Sequence, residues 1–155
     1  MSGIVGGAGS RSGVIGTTEL DYEAGEWTPA LTGGSGSVGS YNFQVGLYEK
    51  IGRTVTLRGN VSVNSLGDKT GVVDITGIPF ASANVANSKS ALHCGHASSL
   101  SIPAYMVPAG HLNVASVSIR MTQWSLVSGT NNLDSSHISA GGNFAFSIIY
   151  STAHD

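Results

Sequence analysis

Two histidines and a cysteine fall within four residues at His93-Cys94-Gly95-His96, the one local cluster of metal-ligand types in the sequence. A structural zinc site takes about four ligands, and His111, His137 and His154 are scattered without ligand spacing. On a regular strand His93 and His96 differ in parity and point to opposite faces, although a turn at Gly95 would bring them together. They read as surface or subunit-facing histidines, and no metal site is assigned. Asp21, Glu23 and Glu26 are the densest carboxylate group. General acid–base pairs are set across a cleft, whereas these three share one short segment. They read as a solvated lead-in to the first strand, with calcium binding as the lesser alternative. Gly7-Ala8-Gly9-Ser10-Arg11-Ser12-Gly13 has the glycines of a phosphate loop but no lysine, and its third glycine falls one residue late for a dinucleotide fingerprint. Serines and histidines are abundant, yet no Gly-x-Ser-x-Gly elbow is present. No catalytic residue, cofactor or enzymatic activity is expected.

Ring systems and amides are the remaining chemistry. Trp124, Tyr105, Tyr41, Tyr48 and Tyr150 could stack against sugars, although aromatics on strands more often fill cores. Asn131-Asn132, followed by serines, is the most polar loop by composition. Trp124, Asn131 and Asn132 are therefore the candidate receptor contacts, with a host surface glycan as the possible partner.

The elements that position these residues are strands. The chain has 155 residues and 22 glycines, which argue against long helices because an interior glycine costs about 1 kcal/mol relative to alanine. Thr54–Val63 alternates, with Val55, Leu57, Val61 and Val63 on one face. Phe144, Phe146, Ile148 and Tyr150 mark the clearest strand. Val117, Ile119 and Met121 repeat the pattern, with Trp124 and Leu126 on the opposite parity, so a bulge between them would turn both inward. Shorter candidates are Gln44–Lys50, Val72–Thr76, Ala91–Cys94, Leu100–Tyr105 and Leu112–Ala115. Turns are expected at Ile51-Gly52-Arg53, Leu66–Lys69, Ile78-Pro79, Pro108-Ala109-Gly110 and Ser128–Asn132. About eight strands so spaced predict an all-β, antiparallel β-sandwich of jelly-roll type.

Residues 1–20 differ in texture from the head domain expected over 21–155. Ser2-Gly3-Ile4-Val5-Gly6 recurs as Ser12-Gly13-Val14-Ile15-Gly16. Two apolar pairs in a glycine-rich stretch suit an extended arm that docks on a neighbouring chain through Ile4, Val5, Val14 and Ile15. The opening residues lack the pattern of a secretory leader, so none is expected.

Composition limits the partners. Charged residues make up 10% of the chain, against about 25% in ordinary soluble domains, and the net charge is −2. No basic run marks a nucleic-acid binder, and no stretch approaches the ~18 apolar residues of a membrane span. So few charges suit a surface shared with other chains, and an oligomer is expected. Cys94 is the single cysteine, so no intrachain disulfide can form.

Tyr22-Glu23-Ala24-Gly25-Glu26-Trp27-Thr28-Pro29 resembles the opening of a domain found in bacteriophage tail-fibre and tail-spike proteins. The similarity continues through Tyr41–Val55 and Thr76-Gly77-Ile78-Pro79-Phe80, and Phe144–Tyr150 stands where the family's last strand would be. Asn84–Ser116 departs freely. The resemblance implies a virion protein, usually trimeric, attached at its N-terminus and contacting the host with its C-terminal head. It supplies no catalytic residue. Trp27, Pro29, Tyr48, Phe80, Phe144 and Phe146 are the residues expected to pack the core or the trimer. An arm joined to a sandwich also suits a capsid decoration protein that clamps its neighbours, and an enzyme acting on polysaccharide is the remote third reading.

Overall fold

The computed structural model describes residues 21–153, so the arm residues Ile4, Val5, Val14 and Ile15, together with His154, lie outside the described residues. Ten strands account for most of the rest: β1 (Tyr22–Trp27), β2 (Ala30–Thr32), β3 (Ser40–Ile51), β4 (Thr54–Ser65), β5 (Asp74–Thr76), β6 (Ser90–Leu100), β7 (Met106–Leu112), β8 (Ile119–Ser125), β9 (Gly129–Asn132) and β10 (Ile138–Ser151). They form one sheet in the order β1-β3-β4-β10-β6-β7-β8-β5-β2, with β9 also on β8, and their pairings are antiparallel.

The order explains the shape. β1 and β2 are separated by Thr28-Pro29 yet stand at opposite ends of the sheet, so the sheet must curl until its ends meet. Side chains of β3 close the seam: the Tyr41 hydroxyl accepts the Leu31 N–H at 2.8 Å, and the Gln44 amide donates to the Pro29 carbonyl at 2.8 Å. Inside lies one core. Val55, Leu57 and Val61 of β4 and Phe144 and Ile148 of β10 share it with Ile75 of β5 and Ile119 and Met121 of β8. The fold class is the all-β, antiparallel, sandwich-like one that the alternation predicts.

The motif residues explain how the first strands lock. Trp27, Gly46, Gly59 and Phe146 are successive register partners across β1, β3, β4 and β10. A Cβ on Gly46 would lie 2.4 Å from Trp27 Nε1, and one on Gly59 would lie 2.3 Å from Phe146 Cζ. The two rings thus lie over two bare backbones and meet edge to face, with centroids 6.2 Å apart. Trp27 Nε1 donates to the carbonyls of Leu47 and Arg58 at 3.3 and 3.2 Å. Gly25 lies under the Tyr48 ring in the same way, and Tyr48 meets Phe80 edge to face at 5.4 Å. Trp27, Pro29, Phe144 and Phe146 are buried, and Tyr48 and Phe80 half-buried against the same core.

Several local expectations change. Pro108-Ala109-Gly110 is part of β7 rather than a turn; the β6 pairing ends at Gly110, so Pro108 has a strand on one side only, where a missing N–H is tolerated. Leu112–Ala115 is not a strand: β7 ends at Leu112 and Ala115 takes φ +49°. Leu100–Tyr105 is likewise broken, since β6 stops at Leu100 and Tyr105 takes φ +66°. Gly129–Asn132 forms an edge strand on β8 instead of a loop, because backbone pairing needs no apolar side chain. β8 runs from Ile119 to Ser125 without a register shift, so the expected bulge is absent and Trp124 stays outside. On β6 the reverse happens. The β10 pairing shifts at Gly95, matching Ser147 to His93 and Ala145 to His96, which places both histidines on the outer face.

Candidate receptor-contact site

Trp124 is held outward by simple parity. Its neighbours Gln123 and Ser125 are buried, while Trp124 is 52% exposed. Across the sheet it stands between Val107 of β7 and Thr130 of β9, its register partners on either side. Val107 is also exposed, so an indole and a branched aliphatic lie side by side in solvent.

The row continues past the strand ends. Tyr105, two residues before Val107, is 81% exposed, and Leu126 and Val127 in the β8–β9 turn are 76% and 92% exposed. That turn is braced from below: the buried Ser125 hydroxyl accepts the N–H groups of Val127 and Ser128 at 3.2 and 3.3 Å. Tyr105 holds a left-handed backbone at φ +66°, which costs a non-glycine residue about 1–3 kcal/mol. Five exposed apolar residues thus gather at one end of the sheet.

Strand parity separates the two asparagines. Asn132 pairs with Thr122 and shares the face of Trp124, together with Thr130. Asn131 pairs with Gln123 and belongs to the opposite face of β9, although both asparagines are exposed. Gln123 braces this edge from inside by donating to the Asn132 carbonyl at 3.4 Å. The site therefore unites Trp124 with Asn132, Thr130 and Tyr105. Val107, Leu126 and Val127 were not legible as part of it; the available signal was an apolar pair, Leu126-Val127, directly before a Ser-Gly turn.

Other candidate groups are engaged structurally. Lys50 pairs with Asp21, and the Tyr48 hydroxyl donates to Glu23 at 2.7 Å. His137 Nδ1 accepts the Asp134 N–H at 3.1 Å in a capping box, whose Ser136 N–H holds the Asp134 carboxyl below its usual range. Cys94 lies against the core, donates to the His96 carbonyl, and has its thiol pushed up by burial. Burial also raises the Tyr150 phenol, which donates to the Phe80 carbonyl at 2.8 Å. Among the described residues, no group of three or more His, Cys, Asp or Glu side chains is placed to hold a metal ion. A hollow of about 260 Å³ near Thr54, Ser82, Ser90, Asn113 and Ser151 is lined by hydroxyls and an amide, with no carboxylate or imidazole.

No family model matches the chain, and no curated protein matches it. Among solved structures it is similar to the Dettilon tailspike protein, with a TM-score of 0.70 at 19% sequence identity. The match covers 84% of this chain and 24% of the tailspike chain. At that identity the likeness establishes a shared fold, over about a quarter of the larger protein.

Proposed function

We propose that this chain is a phage tail-associated structural protein of the virion, a homotrimer whose residues 1–20 attach it to other virion proteins and whose head contacts the host surface. The likeness in fold to a tailspike carries the reading, and the exposed Trp124 cluster gives it a place of contact. An indole face flanked by Asn132 and Thr130 offers stacking and hydrogen bonds together, which suits a sugar ring. The role is non-catalytic: it needs no cofactor or metal, and involves neither nucleic acid nor membrane insertion.

Labelled protein bound to host cells tests this directly. Trp124→Ala is expected to lower binding by about tenfold or more, since exposed aromatic anchors carry much of an interface's energy. Equal binding by the variant would overturn the contact assignment. The capsid-clamp alternative is separated by counting copies in purified virions: a tail protein is present in few copies, a clamp in proportion to the capsid subunits.

A further inference from the structure

The sheet has a second exposed surface, far from the Trp124 end in strand order. On β3, Phe43, Val45, Leu47 and Ile51 are 42%, 55%, 42% and 50% exposed, and Ile149 of β10 is 62% exposed. Strand parity puts all five on the outer side of the β3-β4-β10-β6 part of the sheet. Val45 and Leu47 border a shallow apolar hollow of about 200 Å³, completed by Arg58, Gly59 and Asn60. Between the large apolar residues stand small ones, Thr56, Ala145 and Ser147.

Charge is nearly absent from this face. Arg58 and Glu49, on neighbouring strands, pair with each other at 3.2 Å, and two further charges stand at its borders: Glu26 is the register partner of Leu47, and Lys89 lines a hollow with Ser147 and Ile149. A second surface laid on its centre meets a paired charge rather than a lone one, whose desolvation is the usual obstacle to covering a polar face. The surface also suits its own copy, because two self-neutral faces do not repel. Strands about 4.8 Å apart that rise about 3.4 Å per residue make the face roughly 20 Å by 30 Å. That is on the order of 600 Å² in plan, more once side-chain relief is counted, shared between the two neighbours that a threefold assembly gives each copy.

We infer that the outer face of β3, β4, β10 and β6 is where copies of this chain meet in the trimer, a conclusion that rests on the trimeric reading above. Around a threefold axis the β3 flank, with Val45 and Leu47, packs against the β6 flank of the next copy, where His93 and His96 stand beside Ser147 and Ala145. The Trp124 cluster, on β7–β9, stays free for an outside partner.

Sedimentation velocity on the full chain tests the face. The natural protein is expected to sediment as a trimer, Leu47→Glu and Ile149→Glu as monomers, and Trp124→Ala as a trimer. A glutamate variant that stays trimeric overturns this face while leaving the trimeric reading intact; a monomeric natural protein overturns both. Host-cell binding is scored separately, so loss of the contact reading alone would leave these masses unchanged. Should the glutamate variants unfold, a Cys94→Ser chain carrying Leu47→Cys and His96→Cys keeps the test open: a short bis-maleimide is expected to join its copies, whereas Cys94→Ser with Ser128→Cys at the Trp124 end stays unlinked. Absence of the Leu47→Cys/His96→Cys product overturns the assignment.

Discussion

Lys69 is 5% exposed, which is unusual for an ammonium group and has a definite reason here. Its Nζ donates to the Gly33 carbonyl and to those of Thr70 and Val72, both at 3.1 Å. It therefore ties the loop after β2 to the one before β5. Lys69→Met keeps the length and removes the donors; a stability loss of about 2–4 kcal/mol is expected in denaturant titration. His111 shows the opposite kind of dependence. Burial first, then repulsion from Lys89 and Arg120, holds its imidazole below the ordinary value, with Asp74 partly opposing. The unfolded chain thus binds this proton more readily, so the contribution is complete above about pH 6.5 and is lost as pH falls toward the lower folded value. Between pH 7.5 and 5.5 the melting temperature should fall less for His111→Asn than for the natural protein; an equal fall would contradict the assignment. Trp124 needs no such support. Because it packs on the outside, Trp124→Ala should leave stability within about 0.5 kcal/mol while binding falls.

At the scale of elements, two aromatic residues depend on two glycines. Trp27 and Phe146 occupy the volume that side chains on Gly46 and Gly59 would take. Gly46→Ala and Gly59→Ala should each cost about 1–3 kcal/mol by overpacking, read as a lowered denaturation midpoint. Gly95→Ala is expected to be mild, since a Cβ there meets nothing within 4 Å. Hairpin β3–β4 turns on Gly52, at φ +55°, in a two-residue loop closed by the Ile51–Thr54 pair. Here the local pattern was sufficient: Ile51-Gly52-Arg53 between two alternating runs reads as a turn. It was insufficient where pairing overrode composition. Pro108-Ala109-Gly110 has turn residues and lies in a strand, and the polar Thr130-Asn131-Asn132 pairs with β8, because an open strand flank accepts whatever backbone reaches it.

The described residues form a curled sheet that carries two exposed apolar regions of different form. One is a broad, self-neutral face on β3-β4-β10-β6; the other is the smaller cluster around Trp124 on β7–β9. In the proposed assembly one binds copies and the other an outside partner. The proposed function gives particle attachment to residues 1–20, so a chain beginning at Asp21 should sediment as a trimer like the natural protein and fail to join purified particles lacking it. Co-sedimentation of the shortened chain with those particles would refute that assignment.

The all-β class, the hairpin at Gly52, the inward rows of β4 and β10 and the scarcity of charge follow from the sequence alone, because period-two alternation and turn chemistry are local properties. Bulges and strand order are not local. The shift at Gly95 that puts His93 and His96 on one face depends on how β10 lies beside β6, and the absence of a shift in β8 leaves Trp124 outside. Only the tertiary structure decides that Trp27 crosses two glycines to reach Phe146, and that Asn132 rather than Asn131 joins Trp124. These outcomes are set by which strands become neighbours, and strand pairing joins residues that are distant in the chain.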